Sequence, residues 1–145
     1  MAATNARSGF GTLFQRGDGA SPTELFTTVA EVTSISGPRE NLEFVDATHM
    51  ESPNAYREKI ATLLNSGQVT IGQQWLAGDT SQNNLRLDMR NRVKRNFRIL
   101  PPGSGKKITF SGLVVDIGRE FPLDNKMTAD VTIEVTGPVE IADHP

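Results

Sequence analysis

The chain of 145 residues holds two histidines, His49 and His144, and no cysteine. The lack of cysteine removes any thiol nucleophile, disulfide framework or cysteine-ligated metal. Asp46-Ala-Thr-His49 sets a carboxylate near an imidazole and suggests a metal pair. With so few histidines, a solvated or hydrogen-bonded His49 is the better reading. Gly103-Ser-Gly-Lys-Lys107 invites comparison with a phosphate-binding loop. That motif needs glycine where Leu100 stands and Ser or Thr where Lys107 stands. It also needs a helix to follow, whereas Ile108 begins a strand pattern, so a hairpin loop fits better. Arg16-Gly-Asp18 matches an integrin-binding tripeptide, but nothing else in the sequence points outside an animal cell. From Arg86 to Arg98 run six of the fifteen basic residues and one acid, Asp88. Clustered Arg and Lys displace counterions from nucleic acid, yet no series of aromatics is interleaved to stack bases, Phe97 standing alone. A solvated helix face, paired in part to acids on a neighbouring chain, is the simpler account. No nucleophile–base pair or glycine-rich nucleotide fingerprint occurs. The sequence therefore predicts no catalytic residue, no cofactor or metal site, and no enzyme.

The totals narrow the class further. A mass of 15.8 kDa suits one domain with a modest core. Hydrophobic residues make up only 37%, consistent with loops and termini that do not pack within the monomer. A net charge of −2 gives no global electrostatic case for nucleic acid or an anionic membrane. No apolar run approaches the ~20 residues of a membrane span, and no signal peptide opens the chain. A soluble protein made in a cytoplasm is expected.

The elements that hold these residues are mostly strands. Gln68-Val-Thr-Ile-Gly-Gln-Gln-Trp75 alternates, with Val69, Ile71, Gln73 and Trp75 on one face and Gln68, Thr70, Gly72 and Gln74 on the other. Trp75, the only tryptophan, is expected to anchor the core. Residues 1–11 form a small, polar, flexible arm. Thr12–Gln15, Thr27–Ile35 and Leu42–Thr48 are strand candidates, the second stopped by Ser36-Gly-Pro38. Within His49–Gly67, the spacing of Ala55, Tyr56, Ile60, Leu63 and Leu64 by itself suggests a helix after Ser52-Pro53. Asp79-Thr-Ser-Gln82 has the form of a capping box, with Gln82 reaching back. Leu85, Met89 and Val93 then stripe one face of a helix over Ser81–Val93. Lys107–Phe121 alternates with a change of register at Gly112, which suits a bulge. Thr128–Thr136 alternates cleanly and is ended by Gly137-Pro138, leaving 138–145 as a tail. These last two segments make the strongest hairpin.

In this order, Thr27-Thr-Val-Ala-Glu-Val-Thr-Ser-Ile-Ser-Gly-Pro38, Leu42-Glu-Phe-Val-Asp-Ala-Thr48, Pro53-Asn-Ala-Tyr-Arg-Glu-Lys59, Asn65-Ser-Gly-Gln-Val-Thr70 and the hairpin from Thr109-Phe110 to Gly137-Pro138 carry a resemblance. The chain resembles the major tail tube proteins of long, non-contractile-tailed, lambda-like bacteriophages over roughly residues 10–140. Lambda-like members with an extra C-terminal immunoglobulin-like domain are longer than this chain.

The resemblance implies a mainly β protein, a two-sheet sandwich or barrel with one flanking helix and a long inter-strand loop. It implies a virion protein, assembled in the host bacterial cytoplasm as hexameric rings that stack into a tube. The tube would hold the tape-measure protein, meet tail-terminator and tail-tip proteins, and conduct DNA without binding it specifically. No membrane partner is implied. Residues 49–67 become an extended assembly loop instead of a helix, with Tyr56, Arg57, Ile60, Leu63 and Leu64 as subunit contacts. The wall of such a conduit should be polar or acidic, with the basic helix turned away from it. Near alternatives are the type VI secretion tube and a terminator or neck ring. From another class, an oligonucleotide-binding barrel would show tight, salt-dependent binding of short single strands.

Overall fold

The computed structural model describes residues 3–4, 6–103 and 105–143. His144 and parts of the 1–11 arm, the Gly103–Lys107 loop and the 138–145 tail lie outside the described residues. The elements are β1 (Leu13–Gly17), β2 (Phe26–Thr28), β3 (Val32–Ser36), β4 (Asn41–Asp46), β5 (Lys59–Asn65), β6 (Gln68–Gln74), α1 (Thr80–Asn91), β7 (Arg95–Leu100), β8 (Lys106–Glu120) and β9 (Thr128–Asp143). The protein is mainly β, and α1 is the one α-helix among the described residues.

Two sheets form. Seven strands pair in the order β2-β1-β7-β8-β9-β6-β3, and β4 pairs with β5 alone. The larger sheet cannot be flat. Its two edge strands, β2 and β3, are joined by only Val29, Ala30 and Glu31. Six inter-strand gaps of ~4.8 Å make a flat sheet about 29 Å wide. Three linking residues reach no more than ~15 Å, so the sheet must roll until its edges meet. Accordingly β3 lies beside β1, and Gly9–Thr12 and Val32–Ile35 line the groove along that seam.

Alternation decides which residues fill the roll. Val69, Ile71, Val131 and Ile133 are fully buried, facing Phe14, Phe97 and Phe110 from the other half of the sheet. Phe97 stacks between Phe14 and Phe110 at centroid distances of 5.6 and 5.7 Å. Each such ring pair contributes about 0.5–1.5 kcal/mol beyond the area it buries. Leu85 of α1 completes this cluster, with Met89 packed at its margin. The helix therefore covers the apolar face of the sheet.

Asp79 caps α1, its carboxylate accepting from the Gln82 backbone N–H at 3.1 Å and from the Ser81 hydroxyl. Only half of the capping box forms. The Gln82 side chain is buried and holds other partners: it accepts from Leu76 N–H at 2.9 Å and donates to the Ala30 and Gln74 carbonyls. Gln82 thus ties the β2–β3 link to the end of β6. Arg92 closes the helix in a left-handed conformation, φ 58°.

Several expectations are corrected. Trp75 lies outside the core; it is half-buried at the end of β6, edge-on to Phe121 at 5.4 Å. The Thr27–Ile35 strand is two strands, broken where Glu31 takes φ 59°. Gly112 stays in register with Phe110 and Val114, facing the core. It is glycine because a Cβ there would meet the Glu134 carbonyl and Ile133 at 2.7 Å. The shift falls between Val114 and Asp116 instead. Gly137, with φ 85°, marks a second irregularity, after which β9 continues to Asp143 against Lys106–Thr109. Nor does His49–Gly67 form a helix. Pro53–Ala55 makes one 3-10 turn with Asn54 and Ala55 at positive φ, and Lys59–Asn65 is a strand. The helix-like spacing of Ile60, Leu63 and Leu64 comes from a bulge in β5 opposite Leu42–Phe44.

Candidate assembly surfaces

β4 and β5 form an arm that leaves the rolled sheet after β3 and rejoins it at β6. Every residue of both strands is exposed. Cross-strand pairing sets Leu42 against Leu64 and Phe44 against Ala61 on one face, and Val45 against Ile60 on the other. Leu42, Phe44, Val45, Ile60, Leu63 and Leu64 are each more than half exposed, from 51% to 80%. An isolated two-stranded ribbon is marginal in water, and contiguous exposed apolar surface marks an interaction site.

Of the five residues predicted as contacts, Ile60, Leu63 and Leu64 lie along β5, while Tyr56 stands 74% exposed near the tip. Arg57 is turned to its own chain, bonding Asp46 at 3.2 Å. The Asp46 carboxyl is held below the usual carboxylate range by the Thr48 hydroxyl and backbone N–H, with Arg57 adding to the effect. Sequence reasoning missed Leu42, Phe44 and Val45, the other half of the surface. Their alternation was legible as a strand, but nothing in it told that the strand would find no core.

The reverse side of the rolled sheet is a second continuous surface. Thr109, Ser111, Asp116, Asp130, Thr132 and Glu134 face outward there, with Gln68 bonding Glu134 at 2.7 Å. This face is largely polar, though Leu113 beside Glu134 and Arg98 beside Thr109 also lie on it, and α1 lies on the opposite side of the sheet. All three core phenylalanines point away from it, and its one aromatic among these strands, Phe26, is covered by the Arg98 guanidinium at 4.1 Å.

The motifs that suggested chemistry resolve into structure. Arg16 of the Arg-Gly-Asp tripeptide is nearly buried, donating from Nη2 to Asp88 at 2.8 Å, which holds its guanidinium charged. Asp88, itself buried, also accepts from Arg95 at 3.0 Å. Asp18 accepts from the Ala20 and Leu25 backbones, which hold its carboxyl below the usual range. Part of the basic run is thus neutralised within the chain, where a neighbouring chain was expected. His49 takes a hydrogen bond from Glu51 N–H at 3.1 Å and lies 3.3 Å from Glu58. Among the described residues no group of three or more His, Asp or Glu could hold a metal. No described helix is long and apolar enough to cross a membrane.

No curated protein matches the sequence significantly. Solved structures do match its shape. The tail of an empty gene transfer agent (GTA) particle, refined with C6 symmetry, superposes with TM-score 0.73 at 18% identity, over 94% of this chain and 99% of the other. The anti-feeding prophage baseplate gives TM-score 0.72 at 12% identity, over 98% of each chain. The SPP1 tail tube gives 0.64 at 9% identity, over 92% of this chain and 76% of that one. At these identities the likeness establishes the fold. The sequence supplies the kinship, because the model of the lambda phage tail tube protein matches residues 12–142, and the chain belongs to that family of structural tail tube proteins.

Proposed function

We propose that this tail tube protein assembles as hexameric rings stacked into a tube, with the β4–β5 arm making the ring-to-ring contact. The observation that carries this reading is the arm itself, a ribbon exposed on both faces with six large apolar side chains on its strands. Burying each contributes about 1.5–3 kcal/mol, so a neighbouring subunit is the natural cover. The six-fold symmetry of the GTA tail supports the ring size. Tyr56, Ile60, Leu63 and Leu64 touch the neighbour directly, while Arg57 stiffens the arm through Asp46.

In this reading the polar reverse face lines the lumen. It would release rather than hold DNA, since duplex binding depends on clustered cations. The lumen would contain the tape-measure protein before ejection. The tube's ends would meet terminator and tail-tip proteins, and assembly would take place in the host bacterial cytoplasm. The role is structural, without catalysis.

Electron microscopy of the purified protein tests the reading. Tubes are expected, and replacing the whole arm, residues 41–65, by a short Gly-Ser linker should leave the monomer folded while stopping tube growth. Tubes of normal length from that variant would show that stacking is carried elsewhere.

A further inference from the structure

The arm needs a receiving surface, and a second exposed apolar group lies at the other end of β6. Trp75 and Leu76 follow directly on that strand, and Phe121, Leu123 and Met127 project from the β8–β9 turn beside them. Trp75 meets Phe121 edge-on at 5.4 Å, and its backbone N–H donates to the Met127 carbonyl at 3.0 Å. Phe121 is 61% exposed and Leu123 fully so.

The arm rejoins the sheet at Gly67, beside Val135, whose N–H donates to the Gly67 carbonyl. From Gly67 to Trp75 is eight residues of extended chain, about 26 Å. The arm and this apolar end therefore lie at opposite poles of the subunit, and the arm does not cover it within its own chain. Charge also matches. The arm carries Glu43, Asp46, Glu51 and Glu58 against Arg57 and Lys59. Helix α1 starts at the apolar end, and the first exposed cation along it is Arg86, about 9 Å from the helix start. Arg86 pairs with no acid among the described residues. A surface that bound its own kind would give closed pairs, whereas two unlike surfaces at opposite poles propagate.

We infer that the end formed by Trp75, Leu76, Phe121, Leu123 and Met127, with Arg86 of the adjoining α1, receives the arm of a second copy of this chain. The inference rests on the proposed role of the arm and names its partner surface.

Two full-length variants test it. Leu123→Asp/Met127→Asp alters the receiving end and keeps the arm, while Leu63→Asp/Leu64→Asp alters the arm and keeps the end. Each should keep the wild-type thermal melt and lose at least tenfold in polymer at fixed concentration. Mixed, the two should form complexes containing both chains that stop growing, because one intact arm meets one intact end. If the arm variant polymerises normally, the reading of the arm fails. If only the receiving-end variant polymerises normally, or the mixture gives no joint complex, the arm reading survives and this partner surface is wrong. The cysteine-free chain allows a second measurement. Leu123→Cys combined in turn with Met50→Cys, Tyr56→Cys or Leu63→Cys should, on oxidation of the polymer, give a covalent ladder of many subunits. No ladder from any of the three pairings would overturn the proposal.

Discussion

The rolled sheet and the arm are built from the same kinds of residue and meet opposite fates. β6 sends Val69 and Ile71 to one face and Gln68 and Thr70 to the other, and the apolar pair is fully buried. In β4, Phe44 and Val45 are adjacent and so point to opposite faces, and both remain about half exposed. A strand with one apolar face can be satisfied by rolling against its own sheet. A ribbon apolar on both faces cannot, because one chain has only one interior. The difference separates residues that hold the monomer together from residues that hold monomers to one another.

That division is broken most forcefully from the core side. Phe97→Ala removes the central ring of the stack between Phe14 and Phe110. Truncation of a buried phenylalanine costs about 3–5 kcal/mol, to be measured as a fall in the urea midpoint of the monomer. A loss under ~1 kcal/mol would mean that the rolled sheet does not depend on this cluster.

A smaller effect is expected at the helix start. Asp79→Ala should cost about 1 kcal/mol at neutral pH through loss of the N-cap. The Asp79 carboxyl is held below its ordinary value by the Ser81 hydroxyl and the Gln82 N–H. A depressed folded-state pKa stabilises above the unfolded value of ~3.9 and loses that contribution as pH falls through the folded value. The gap between Asp79→Ala and wild type should therefore narrow in acid. Paired urea titrations at neutral and acid pH would show it, and an unchanged gap would assign the cost to something other than the charged cap.

How far the sequence disclosed this arrangement follows from what each signal depends on. Strands of period two facing one core were legible, as Val69 and Ile71 or Val131 and Ile133 illustrate. So was the stripe of α1, since Asp79 and Leu85 act within their own element. Contacts between distant segments were hidden. Asp88 looked like the odd acid in a basic run, and only the fold brings Arg16 to it across 72 positions. Trp75 looked like a core anchor because size favours burial, yet its place at the end of β6 puts it on a rim. In the arm, the bulge in β5 imitated helical spacing, and the resemblance to tail tube proteins corrected the helix only as far as a loop. The strand pairing of 59–65 with 41–46 needed the structure.

The smallest expected effect on folding is the most informative about the comparison. Leu64 is 80% exposed and faces Leu42 across the arm. Replacing it with serine removes little that is buried in the monomer, so Leu64→Ser should leave unfolding within about 0.5 kcal/mol of wild type. In the polymer the same side chain would be covered, and losing that burial is worth about 1.5–3 kcal/mol per contact. The concentration needed for half-assembly should then rise roughly 10- to 100-fold, since ~1.4 kcal/mol corresponds to a factor of ten. Leu64→Ile keeps most of the apolar area and should assemble near the wild-type concentration. Sedimentation across a dilution series, paired with urea unfolding of the monomer, separates the two quantities. A destabilised monomer would place Leu64 in the interior, and an unchanged assembly midpoint would remove it from the contact; either result would erase the distinction between arm and core at this position.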